Sequence, residues 1–117
     1  VIGTGEKGFS GDGGPGDKAT FNELYDALWD KQGKLLYIVD LKNARIRTWD
    51  PATKLVKTIA GNGQKGTPKN GTPATEAPLN DPRAVAVDSK GNVYILERGG
   101  NSLRVVDAST GTIKTVA

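Results

Sequence analysis

The chain has 117 residues, a net charge of +3 (16 Lys+Arg, 13 Asp+Glu), 36% hydrophobic residues and 16 glycines. That length sets a ceiling of one domain, and abundant glycine with a modest apolar share suits short strands and turns rather than a helical core. The absence of cysteine and histidine excludes disulfides and thiolate chemistry and removes the commonest general base and metal ligand; no apolar run approaches the roughly 20 residues of a membrane span, and the dispersed charge shows no nucleic-acid tail.

In chain order, residues 3–22 come first, a Gly/Pro-rich loop with no strand period. It opens with Gly3-Thr4-Gly5-Glu6-Lys7-Gly8, formally G-x-G-x-x-G. A dinucleotide site would need a helix directly afterwards, and Phe9-Ser10-Gly11-Asp12-Gly13-Gly14-Pro15 cannot supply one. Asp12 alone lacks the several oxygen ligands that calcium requires, so it is read as bonding local backbone N–H groups. Residues 17–21 could form one helical turn at most.

Four strand-like runs follow at 24–30, 35–40, 45–50 and 55–59, rich in β-branched and aromatic residues and bounded by turn formers. The first two are continuously apolar and are expected to be buried on both faces. The last two alternate, predicting one wetter face. Asp30-Lys31-Gln32-Gly33 has the Asp-first, Gly-fourth pattern of a type I turn, and Asp50-Pro51-Ala52-Thr53 places Pro at the second turn position. Three hairpins give a four-stranded antiparallel meander.

At Gly61 the sequence starts again. Gly61-Asn62-Gly63-Gln64-Lys65-Gly66 repeats the opening at an offset of 58, which drops to 57 after one extra residue in Lys34-Leu35-Leu36 relative to Asn92-Val93. The second loop spans 61–80, and strands follow at 82–88, 92–97, 102–107 and 112–116. Two copies, 1–60 and 61–117, fill the chain, so the recurring G-x-G-x-x-G belongs to the scaffold.

A tandem four-stranded meander is a propeller blade. The order GTGEKGFSGDGGP, D-x-x-G-x-L-Y-I-x-D, N-x-R-I-R, D-P-A-T and K-T-I-A-G-N-G resembles the NHL-repeat family of β-propellers over the whole chain, as two repeats. The Asn-His-Leu signature is incomplete: Asn43 and Asn101 are present, but neither copy has the His. The resemblance implies an all-β fold of two blades, one third of a six-bladed ring. Two blades cannot close a ring, so the expected partners are other copies of this chain or further blades of a longer one. Val1-Ile2 aligns with Ile59-Ala60 and Val116-Ala117; a processed or excerpted N-terminus and a head-to-tail trimer both fit. The family's bacterial members are often exported, which points to an extracellular or periplasmic setting.

In such a propeller the first strand lines the channel, and the connections before it and between strands two and three share a face. That face is expected to gather Tyr25, Asp26 and Arg83 at the mouth, with Asp40, Lys42, Glu97 and Arg98 around it. Several of these differ between copies where scaffold positions agree, which is where a scaffold carries a site. Arg45, Arg47 and Arg104 are expected to make blade-to-blade ion pairs. Trp29 and Trp49, which replace Val87 and Val106, are expected in the core. The leading reading is a non-enzymatic binding or scaffold module presenting one face to a protein, carbohydrate or other ligand, with no cofactor and no metal. A fragment of a propeller lyase and an RNA-binding propeller are the alternatives. The first lacks His and Cys ligands; the second lacks an aromatic series for base stacking. Asn70-Gly71-Thr72 also fits the N-glycosylation pattern.

Overall fold

Residues 1–117, all described by the computed structural model, form nine strands in two antiparallel sheets. β1 (Leu24–Trp29), β2 (Leu36–Asp40), β3 (Arg45–Trp49) and β4 (Val56–Ala60) make the first sheet in sequential order. The second contains β5 (Thr72–Pro73), β6 (Pro82–Val87), β7 (Val93–Glu97), β8 (Ser102–Val106) and β9 (Thr112–Thr115), ordered β5-β9-β8-β7-β6. The hairpins close as their turn residues demand. Asp30 accepts from Lys34 N at 2.7 Å, Asp50 from Ala52 N at 2.9 Å, Asp88 from Asn92 N at 2.9 Å and Asp107 from Ser109 N at 2.8 Å. Each carboxylate thereby satisfies turn N–H groups that no ladder would reach.

The segment 61–80 departs from the expected plain loop by contributing β5. Gly71 N and Ala74 N donate to Ile113 O and Gly111 O, both at 2.9 Å, which lays the segment along the outer edge of β9. Its counterpart in 3–22 forms only isolated bridges, Asp12 with Val56 and Pro15 with Leu55. Helix is confined to single 3-10 turns at Gly16–Lys18 and Ala74–Glu76.

Strand side chains alternate between faces, so each sheet has a near face, toward the chain segment before it, and a far face. The main core lies between the sheets. Tyr37, Val39 and Ile46 come from the far face of the first sheet, and Val85, Val93, Ile95, Val106 and Ile113 from the near face of the second. Ala74, Ala77 and Leu79 of the second loop are wedged between them. Burying each large aliphatic here stabilises by about 1.5–3 kcal/mol. A smaller cluster of Ala19, Phe21, Ile38 and Val56 lies on the near face of the first sheet, where the 3–22 loop covers it. Half-buried Ile2, Leu36 and Trp49 flank that cluster.

Two burial expectations are corrected. β1 is buried on neither face: all six of its residues are exposed, Leu24, Tyr25, Leu28 and Trp29 at 38% to 57%. The polar face of the third strand is not wet either. Arg47 and Arg104 are buried, because the preceding loop folds over that face. Trp49 joins the smaller core as expected, and it does so beside Gly16, where a Cβ would stand 2.7 Å from its Nε1. The second copy pairs the smaller Val106 with Ala74 at the same two positions.

Candidate functional site

Each blade holds one buried ion pair. Arg47 and Asp40 have wholly buried side chains 3.3 Å apart. Arg47 also donates to Thr20 O and Ser10 O at 2.7 Å, and to Asp12 Oδ1 at 3.0 Å. Asp12 therefore does not bond local backbone, as expected from its loop; it accepts from Arg47 and, at 2.6 Å, from the Thr58 hydroxyl. Asp40 accepts from Asn22 N and from Asn43 Nδ2, each at 2.8 Å, and Asn43 Nδ2 also reaches Gly8 O. In the second blade Glu97 accepts from Asn80 N and from Arg104, and Arg104 donates to Thr115 Oγ1.

These nodes correct two expectations. Asp40 and Glu97 do not ring a ligand face; at 0% and 1% exposure they anchor the chain before β1 and β6. Arg47 and Arg104 pair within a blade rather than between blades. Asn43 and Gly100, at the same position of the two copies, also differ in the room they leave. Glu97 is one methylene longer than Asp40, and a Cβ on Gly100 would lie 3.0 Å from Glu97 Oε1, so the longer acid takes the room that Asn43 occupies in the first blade. Arg45 is a separate case: it spans the blades, donating to Asn62 O at 3.0 Å and lying 3.6 Å over the Phe9 ring. Burial lowers its pKa, with Asp12 opposing the shift.

A mouth lies between the two blades. A concave opening of about 720 Å³ lies there, with Tyr25 and Lys42 on the first blade and Lys65 and Arg83 on the second among its lining residues. The local backbone explains why. The β1–β2 register slips between Leu24 and Asp26, and the β6–β7 register slips between Pro82 and Ala84. Tyr25 and Arg83 are therefore the bulged residues of matching β-bulges, devices that re-aim a side chain out of the ladder. Glu23 and Asp81 precede them in the left-handed region at φ +57° and +58°. Leu41 N donates to Glu23 O at 3.2 Å and Arg98 N to Asp81 O at 3.0 Å, so the two expected connections share one face.

At the mouth the register mates meet. The Arg83 guanidinium lies 4.7 Å over the Tyr25 ring, a cation–π contact. Its Nε and Nη2 each approach Asp81 at 3.2 Å, and hydrogen bonding to Asp81 and then Tyr25 raises the Arg83 pKa. Lys42 pairs loosely with Glu23 at 3.8 Å. Of the seven expected residues, Tyr25, Lys42 and Arg83 are brought together. Asp26 faces a smaller opening of about 230 Å³, and Arg98 another of about 450 Å³. Glu23, Lys65 and Asp81 were not expected at the mouth. The one available signal was that Glu23 and Asp81 are acidic register mates next to the first strand.

No family model matches the chain. NHL repeat-containing protein 2 of Gallus gallus is 31% identical over 98 residues, covering 83% of this chain and 13% of that protein. The chain thus spans about an eighth of the relative it matches. A solved structure described as a structural genomics protein of unknown function from Bacteroides thetaiotaomicron aligns with a TM-score of 0.76 at 27% identity, covering 89% of this chain and 26% of that one. A second, described as a putative phosphatase from the same organism, aligns at 0.70 and 21% identity over 100% of this chain and 26% of its own, and bears on fold alone.

Proposed function

We propose that this chain, which is related to the NHL-repeat family and folds as two β-propeller blades, is a non-enzymatic binding module that presents the mouth between its blades to a protein ligand. The repeats 1–60 and 61–117 serve as scaffold, and further blades of the same kind close a six-bladed ring around them. One observation carries the reading: matching bulges aim the divergent pair Tyr25 and Arg83 into one opening that also holds Lys42 and Lys65. An exposed aromatic with nearby cations is the composition of an interface anchor. Carboxylates at Glu23 and Asp81 already occupy Lys42 and Arg83. Lys65 has no ion-pair partner, so it is the cation free to meet a ligand carboxylate.

The test is a binding titration with short fluorescent peptides, acidic and neutral, each carrying an aromatic residue. Acidic peptides are expected to bind, and Tyr25→Ala and Lys65→Glu each to weaken them about tenfold, the effect of one anchor contact. Binding indifferent to both substitutions, or to none of the peptides, would overturn the proposal.

A further inference from the structure

We infer that the far face of the second blade receives the near face of the first blade of another copy, head to tail, and that this contact builds a second mouth. The inference rests on the reading that blades of the same kind close the ring; what it adds is the identity of the partner and the site their contact makes.

The internal blade–blade contact is the template. Its mouth has one wall from the first blade, including Tyr25, Leu41 and Ala44, and one from the second, including Gly63, Lys65 and Leu79. Both walls recur on the outside of the chain. The register mates of the first three, Arg83, Arg98 and Asn101, line the open recess of about 450 Å³ on the far side of the second blade. The mates of the other three, Gly5, Lys7 and Phe21, line a recess of about 350 Å³ on the near side of the first blade. Each recess is half of a mouth.

The halves match each other in charge and in volume. The far wall carries Arg98 where the internal mouth has Leu41; the near recess carries Glu6 at the register position of Gln64. Added positive charge on one wall thus faces added negative charge on the other. At the opposite end of the sheets, Leu35 and Tyr37 meet Val87 and Val106 in the internal core. On the free faces the far side is smaller, with Asn92 for Leu35 and Ala86 for Leu28. The near side is larger, with Trp29 for Val87 and Trp49 for Val106. Trp29 is 46% exposed beside Trp49, their ring centroids 6.3 Å apart, and Leu96 on the far face is 52% exposed. Large side chains on one free face opposite small ones on the other conserve packing volume. Because the two faces differ, the contact is heterologous and a ring of copies closes it.

Sedimentation equilibrium of the 117-residue chain tests this. At micromolar to millimolar concentration the mass is expected to rise from 12.3 kDa to three times that value. Trp29→Glu spoils the near face and Leu96→Arg the far face, and both sites are exposed within one chain, so each variant is expected to fold and to remain monomeric. Mixed in equal amounts, the variants are expected to form a one-to-one pair and nothing larger, since each retains the face the other lost. A wild-type monomer at every concentration overturns the inference, as does a Trp29→Glu variant that still self-associates. Far-UV circular dichroism identifies a variant that failed to fold; in that case Arg98→Glu and Glu6→Arg replace the pair in the same mixing scheme. Lys65 lines the internal mouth alone, so loss of peptide binding in Lys65→Glu at unchanged mass concerns the proposed function and not the assembly.

Discussion

Val39, Ile46 and Ala60 are 0% exposed, whereas their register mates Leu96, Leu103 and Ala117 lie partly or fully open, Leu96 at 52%. The two sets are apolar residues at the same strand positions of the two copies. They differ only in what lies beyond them: a second blade and its wedged loop in one case, nothing in the other. A blade's far face is thus made a core by its neighbour and not by its own residues, as expected where a repeat cannot bury its apolar face alone.

The contrast can be broken most forcefully at the polar nodes, using the separated monomer. Arg47→Ala leaves Asp40 buried without its partner, a change that costs about 3–5 kcal/mol, read as a lowered urea midpoint. It also cuts the bonds to Ser10 O, Thr20 O and Asp12 that hold the 3–22 loop, so that loop becomes open to proteolysis. Arg104→Ala strands Glu97 at similar cost but leaves 61–80 protected, because that loop is held between two sheets. Equal nicking of both loops would end the distinction. Next comes Ile46→Ala, expected to cost about 2–5 kcal/mol as a core truncation, against under about 1 kcal/mol for Leu103→Ala at a half-open site.

Glycine mates sharpen the comparison further. Gly3 and Gly61 both have positive φ, +83° and +93°, but an added Cβ meets only the Phe21 ring at 3.7 Å in the first case and Ala44 O at 2.2 Å in the second. Gly3→Ala is expected to cost about 1–2 kcal/mol for the left-handed backbone. Gly61→Ala carries about 1–3 kcal/mol more for overlap with the first blade, measured by thermal melts. The smallest effect is in acid. Side-chain hydrogen bonds from Asn92 and Ser109, respectively, hold the Asp88 and Asp107 pKa values below 3.8. Depressed folded values mean a contribution that is complete well above the ordinary aspartate pKa and is lost as pH falls from there through the folded value. Asp88→Asn or Asp107→Asn should flatten that acid limb of the stability curve; an unchanged limb would count against the assigned bonds.

Much of the fold was legible because its signals are local. Strand alternation and the Asp-led turns each depend on residues near one another in the chain, the repeat shows each of them twice, and the strands fall within a residue or two of their expected bounds. The site was legible only in part. Tyr25 and Arg83 stood out as mates that differ, but the bulges that aim them depend on pairing with β2 and β7, which no composition signal encodes. Asp40 and Glu97 looked like surface charge because their partner Arg residues lie seven positions away across a hairpin.

By itself the sequence determined that this protein is a repeat of four-stranded antiparallel meanders, since period and turn chemistry are written along the chain. Only the tertiary structure decided which polar residues are buried, which strand is left open, and that Tyr25 meets Arg83. Those outcomes depend on what packs across a face, and packing partners come from distant parts of the chain: a loop folded over Arg47, a second sheet over Ile46, and no covering at all over Leu96.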